Sequence, residues 1–231
     1  MVTAAYGQIL NNRVLGLAPR GVVNVHGSLL PRYRGPAPIQ WALINGERVT
    51  GITTMLTERG VDSGPILLQR ELNIREEETA ETLFARLADL GAEVLLETLA
   101  GLEAGTLTPR PQEEEAATYY PMLDKEAGRL DWSQSAQALS CRVRGVTPWP
   151  GAWTTLAGQV IKMGAVQVEP GAGQPGEVVL SSPKDGLVVA TGAGCLRLLT
   201  LQLPGKKAMS ASDLLRGHPI PVGALLGEDG A

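Results

Sequence analysis

Three side chains in the first third of the chain combine into a set able to handle acyl chemistry: Asn24, His26 and Asp62. A neutral imidazole takes or gives a proton near neutral pH, and an amide N–H donates to a carbonyl oxygen without titrating. That pairing suits acyl transfer, in which an oxyanion must be held while a proton moves. Asn24 and His26 are two residues apart, so on a strand their side chains leave the same face and one pocket could hold both. A carboxylate at position 62 could orient His26 and stabilise its charge. Taken singly, each has a plainer reading: a strand-end amide and imidazole satisfying backbone groups, and an ordinary turn aspartate.

These residues need a rigid strand and two loops. Gly21 to Val25 is a short apolar run that reads as a buried strand delivering His26 into a loop. Gly27, Pro31, Gly35, Pro36 and Pro38 then forbid regular structure until Ile39. A second strand over Gly51 to Met55 leads to the turn with Asp62. Its neighbours Gly60 and Gly64 tolerate positive φ, so the loop that carries it can approach closely. Met1 to Gly7 reads as a strand end opening into a turn, and Leu15 to Pro19 as a short helical or turn segment. Pro38 to Ile44 reads as a short helix stopped by Asn45-Gly46, and Ile66 to Leu72 as a further strand. Residues 79–104 make the clearest helix, with Leu83, Leu87, Leu90, Val94 and Leu95 as its core stripe and its acids on a solvated face. Strand, helix, strand predicts an α/β sheet.

After Gly105 the pattern changes. Pro109, Pro111 and Glu113-Glu114-Glu115 mark a linker over residues 106–118, which separates a first domain, 1–105, from a second, 119–231. In the second, Asp131-x-x-Gln134 has the spacing of a capping box opening a small helix. Five short strands follow, near 153–156, 159–168, 177–180, 187–190 and 195–203, which suggests a small OB-like β-barrel.

Composition narrows the function classes. A net charge of −4 excludes a globally basic nucleic-acid binder, so any RNA contact must come from a local patch. The halves differ only slightly: residues 1–119 carry 10 basic and 15 acidic groups, whereas 120–231 carry 10 and 9. Cys141 and Cys195 are far apart with no ligand-spaced neighbours, so neither a disulfide scaffold nor a zinc site is indicated. No charged-then-apolar leader, long apolar span or Gly-rich phosphate loop is legible, and we expect a cytoplasmic protein with no membrane partner.

Read together, Asn24-x-His26-x-Ser28-Leu29-Leu30-Pro31, Tyr33-Arg34-Gly35, Thr50-Gly51-x-Thr53 and Asp62-x-Gly64-Pro65-Ile66 resemble the folate-dependent formyltransferase family. Ala4 to Leu10, Ala37 to Gln40 and Leu201 to Met209 resemble, within it, the members that formylate methionyl-tRNA. The likeness runs over essentially the whole chain. It implies a partial Rossmann-like formyltransferase domain followed by the OB-like domain, and formyl transfer from 10-formyltetrahydrofolate, without a metal, to the α-amine of initiator methionyl-tRNA. It further implies Asn24, His26 and Asp62 as catalytic residues, Ser28, Leu29, Leu30 and Pro31 along the folate site, and a monomer. Lys206 and Lys207, with Arg216 nearby, and Arg142 and Arg144 would meet tRNA phosphates. Arg32 and Arg34 could meet phosphate or the glutamate tail of a folate. The family's catalytic domain begins upstream of Ala4, with a βαβ portion that this sequence lacks, and we expect Met1 to be an internal position of a longer protein. Two other readings stay open: another formyl-folate-dependent transferase or hydrolase, or a catalytically inactive tRNA-binding remnant.

Overall fold

A computed structural model of the chain describes residues 1–7 and 10–228. Gln8 and Ile9, within the matched stretch Ala4 to Leu10, lie outside the described residues. The chain divides into two compact units, residues 1–42 with 47–122 and residues 43–46 with 123–231.

The first unit is built on a four-stranded sheet: β1 (Val2–Ala4), β2 (Val23–His26), β3 (Val49–Leu56) and β4 (Ile66–Asn73), in that spatial order. The expected α/β sheet is present in mixed form, with β1 parallel to β2 and the other two pairs antiparallel. A short helix α1 (Asn12–Leu15) and the proline-opened α2 (Pro38–Ile44) flank β2 in sequence. The long helix α3 (Ala80–Ala104) starts at a reciprocal Thr79–Thr82 cap and ends at Gly105, which is left-handed.

Helix α3 lies close on the sheet because one face is small. A β-carbon added at Gly91 would stand 3.3 Å from Val25 Cγ1. Between the layers the Thr54 and Thr98 hydroxyls meet at 2.7 Å, so two polar groups in the interior satisfy each other. Leu83, Leu87 and Val94 are buried as the periodicity predicts.

Among the described residues, the second unit holds α4 (Ala136–Gly145), eight strands and α5 (Ala211–Gly217). One sheet runs β7 (Val166–Glu169), β10 (Cys195–Leu198), β9 (Gly186–Ala190), β8 (Val178–Ser182). The other runs β12 (Met209–Ser210), β11 (Thr200–Gln202), β6 (Gln159–Met163), β5 (Ala152–Leu156). Leu139, Leu187, Leu196, Leu198, Leu201 and Leu214 fill the core, each almost fully buried.

Two expectations are corrected here. The runs 159–168 and 195–203 are each two strands, broken at Gly164-Ala165 and at Leu199, because each chain turns a corner from one sheet into the other. The corners are stitched together: Gly164 N–H donates to the Thr200 carbonyl at 3.1 Å, and Ala165 N–H to the Thr200 hydroxyl at 2.8 Å. A β-carbon at Gly164 would come within 2.6 Å of that hydroxyl. The strand pairing gives two four-stranded sheets that do not close, where an OB-like barrel was expected. The second correction concerns Asp131. Its carboxylate accepts from the Ser133 backbone and hydroxyl, at 3.1 and 2.6 Å, forming a local turn, while the cap of α4 is Ser135.

Candidate active site

The site lies in the first unit, where β2 ends. His26 is buried, and its Nε2 faces the Tyr33 carbonyl oxygen at 2.9 Å. A carbonyl only accepts, so Nε2 carries the hydrogen and the neutral ring keeps its lone pair on Nδ1. Nδ1 in turn faces Asp62 Oδ2 at 3.7 Å, beyond hydrogen-bond range but near enough to stabilise an imidazolium.

Asp62 is placed by backbone geometry that differs from expectation. Gly60 and Gly64 are not left-handed; Asp62 itself is, with φ of 50°. Aspartate is among the few side chains that tolerate this region. The glycines are needed for room: a β-carbon at Gly64 would meet the Leu56 carbonyl oxygen at 1.8 Å, and one at Gly60 the Ser63 hydroxyl at 2.1 Å. The Asp62 carboxylate is held by the Gly35 N–H, which donates to Oδ2 at 2.8 Å.

Asn24 sits on β2, two residues before His26 and on the same face of the strand. Thr3, its register partner on β1, donates its hydroxyl to Asn24 Oδ1 at 3.0 Å. That bond engages the amide oxygen and so orients the amide, whose N–H2 can only donate. Thr3 was not foreseen; the only signal was a polar residue within an otherwise apolar strand.

The loop after His26 is fixed from beneath. Ser28 is fully buried, donating to the Arg32 carbonyl at 2.7 Å, and Leu30 packs with Met55 and Ile66. Thr53 donates to the Ser28 carbonyl at 2.6 Å and accepts from the Leu30 N–H, and Gln69 donates to the Leu30 carbonyl at 2.8 Å. Leu29 and Pro31 are half-buried, so of these four residues only they present side chains outward.

The arginines beside the loop divide. Arg32 is exposed and paired with Glu47. Arg34 is 1% exposed and spends its guanidinium on Gln112, Glu114 and Tyr119, so it is not placed to meet a phosphate or a folate tail. Its pairing, with the Tyr119 hydroxyl, holds the Glu114 carboxyl below the usual carboxylate range. The stretch expected as a linker thus packs against the loop after His26: Thr118, through its hydroxyl and carbonyl, accepts the N–H groups of Tyr33 and Arg34 at 2.8 Å each.

The expected RNA contacts lie in the second unit on separate elements. Lys206 and Lys207 are exposed in the turn between β11 and β12. Arg142 and Arg144 are half-buried on α4, where Arg142 donates to the Ala127 carbonyl at 3.0 Å and Arg144 reaches Cys141 Sγ at 3.3 Å. Arg216 pairs with Asp213. Among the described residues no cluster of His, Cys, Asp or Glu is grouped to hold a metal, and no helix is long and apolar enough to cross a membrane.

Comparison with known proteins identifies the family. Residues 1–99 match the family described as formyl transferase, and residues 122–219 the formyl transferase C-terminal domain. The fold and these two matches define a formyltransferase, an enzyme class whose chemistry is formyl transfer. The methionyl-tRNA formyltransferase of Citrifermentans bemidjiense is 47% identical over 231 residues, covering all of this chain and 72% of that protein. That of Anaeromyxobacter sp. strain K is 51% identical over 224 residues, covering 94% of this chain and 71% of its own. The chain belongs to the methionyl-tRNA formyltransferase family. In fold it is also similar to HypX from Aquifex aeolicus, solved in complex with tetrahydrofolic acid, with a TM-score of 0.69 at 22% identity over 93% of this chain and 38% of that one.

Proposed function

We propose that this chain supports transfer of a formyl group from 10-formyltetrahydrofolate to the α-amine of initiator methionyl-tRNA, in the bacterial cytoplasm and as a monomer, serving translation initiation. The observation that carries this reading is the His26–Asp62 pair, with Nδ1 turned to the carboxylate, beside an amide whose oxygen is already occupied.

The co-substrate supplies an activated formyl carbon. Leu29 and Pro31 offer apolar surface on a backbone that Thr53 and Gln69 hold rigid, a combination suited to a flat heteroaromatic group. Asn24 directs its N–H2 at the formyl oxygen, where negative charge grows as the amine adds. His26 takes the amine's proton at Nδ1, the nitrogen not committed to Tyr33, and Asp62 stabilises the imidazolium that results; collapse of the tetrahedral adduct then breaks the bond from the formyl carbon to N10 of the folate, and the imidazolium returns the proton to that nitrogen, so that tetrahydrofolate leaves. Residues 1–105 carry this chemistry. Residues 119–231 provide the RNA platform, where two sheets sharing bent strands take the place of an OB-like barrel and Lys206-Lys207 meets phosphate.

The test is formylation of charged initiator tRNA by this chain with 10-formyltetrahydrofolate, read as formylmethionine released on deacylation. Product from the parent chain and its loss in His26→Ala are expected. Equal rates for the two would overturn the reading, as would release of free formate with no formylated tRNA.

A further inference from the structure

The described bonds around Asp62 close into a ring that the reaction chemistry does not explain. The segment Tyr33-Arg34-Gly35 touches both members of the pair, through the Tyr33 carbonyl on His26 Nε2 at 2.9 Å and the Gly35 N–H on Asp62 Oδ2 at 2.8 Å. The same segment is laddered to residues 118–120, where Tyr120 N–H donates to the Arg34 carbonyl at 3.0 Å. Gly35 lies so close that a β-carbon there would stand 2.3 Å from the Tyr120 carbonyl oxygen.

One side chain spans the two halves of the ring. Gln112 Nε2 donates to the Asp62 and Gly64 carbonyls, both at 2.7 Å. Its Oε1 accepts from Arg34 Nε and Nη2 at 3.1 and 2.9 Å. Both amide hydrogens and both oxygen lone pairs are thereby used. The site demands two donors toward carbonyls and an acceptor toward a guanidinium at the same reach, which only an amide supplies. A carboxylate would keep Arg34 and repel both carbonyls.

Resting on the proposed formyl transfer, we infer that Gln112 is a positioning residue: it clamps the Asp62 loop to the Arg34 segment and so sets the distance from Asp62 to His26. It touches no reacting atom. Its bonds to the Asp62 and Gly64 carbonyls make Asp62 the member of the pair on which it chiefly acts.

The experiment is a double-mutant cycle with a structural readout beside it. Gln112→Glu should lower kcat on the order of tenfold to a hundredfold, as small misplacements at a reacting centre do, while KM for both substrates stays within about twofold. In an Asp62→Asn background the same change should have no further effect on kcat, because the group it positions is gone. Independently of activity, the amide resonance of Gly35 should move in Gln112→Glu in the direction it moves in Asp62→Asn. Gln112→Met, uncharged and similar in length, serves if the glutamate variant does not fold. Multiplicative losses in the cycle, a loss confined to KM, or an unmoved Gly35 resonance would each overturn the inference. Absence of formyl transfer in the parent chain would instead refute the proposed function, and the Gly35 resonance would still decide the positioning role.

Discussion

His26 presents Nδ1 to the Asp62 carboxylate at 3.7 Å while its other nitrogen is bound to the backbone of Tyr33. The ring is therefore held in one tautomer and one orientation, and only Nδ1 is left for proton transfer. His26→Ala or Asp62→Ala should lower kcat for formyl transfer about a hundredfold or more, with tRNA affinity retained in a filter-binding assay. Equal losses of turnover and binding would remove these residues from the chemistry.

Thr3→Val keeps the shape of the side chain and removes the hydroxyl that holds Asn24 Oδ1. One neutral hydrogen bond is worth about 1 kcal/mol, so kcat should fall about fivefold, well short of the loss in Asn24→Ala. Single-turnover formylation measures both. An equal loss in the two variants would mean that Thr3 acts otherwise than through the amide.

The RNA patch should follow charge accessibility. Lys206→Glu with Lys207→Glu alters two exposed ammonium groups and should weaken tRNA binding and reduce its log-log salt slope by roughly two. Arg142→Ala should cost less affinity, since that guanidinium is engaged with the Ala127 carbonyl. Binding titrations at several salt concentrations check the order, and the reverse order would move the patch to α4.

Gly64→Ala puts a methyl group against a backbone oxygen that cannot rotate away. Overpacking of this kind costs about 1–3 kcal/mol, and the midpoint of denaturant unfolding of the first unit should drop accordingly. An unchanged midpoint would show that the loop carrying Asp62 is looser than its contacts indicate.

The Glu114 carboxyl, held below its ordinary value of 4.5 by Arg34, gives stability that is complete above that pH. Protonation removes it as pH falls through the lowered folded value. Thermal unfolding should therefore separate the parent chain from Glu114→Gln above pH 4.5, and the two curves should converge in more acidic buffer. A gap that widens on acidification would contradict the pairing.

How far the molecule could be read from its residues depends on the range of the forces involved. Helix α3 and strands β3 and β4 follow from periodicity and turn chemistry, which are local, and α3 was placed within a residue at its start. His26 and Asp62 were singled out because each stands at a loop rich in turn formers, and the structure brings them within 3.7 Å of each other. What escaped are contacts between residues far apart in sequence. Gln112 lies 50 residues from Asp62, and no local pattern marks a glutamine between proline and glutamates as anything but linker. Arg34 looked like a surface cation because nothing nearby announces the acceptors that bury it. The corners at Gly164 and Leu199 were missed for a related reason: the apolar alternation continues through them, and only the change of pairing partner shows the bend.

Those two corners have a consequence for how the second unit comes apart. Because β6 continues into β7, and β10 into β11, two connections run from one sheet to the other and meet at Thr200. Pulling either sheet open drags its partner's middle strand out of register. The eight strands should accordingly exchange their amide hydrogens as one cooperative block, with Val189 in one sheet and Ile161 in the other losing protection at the same denaturant concentration.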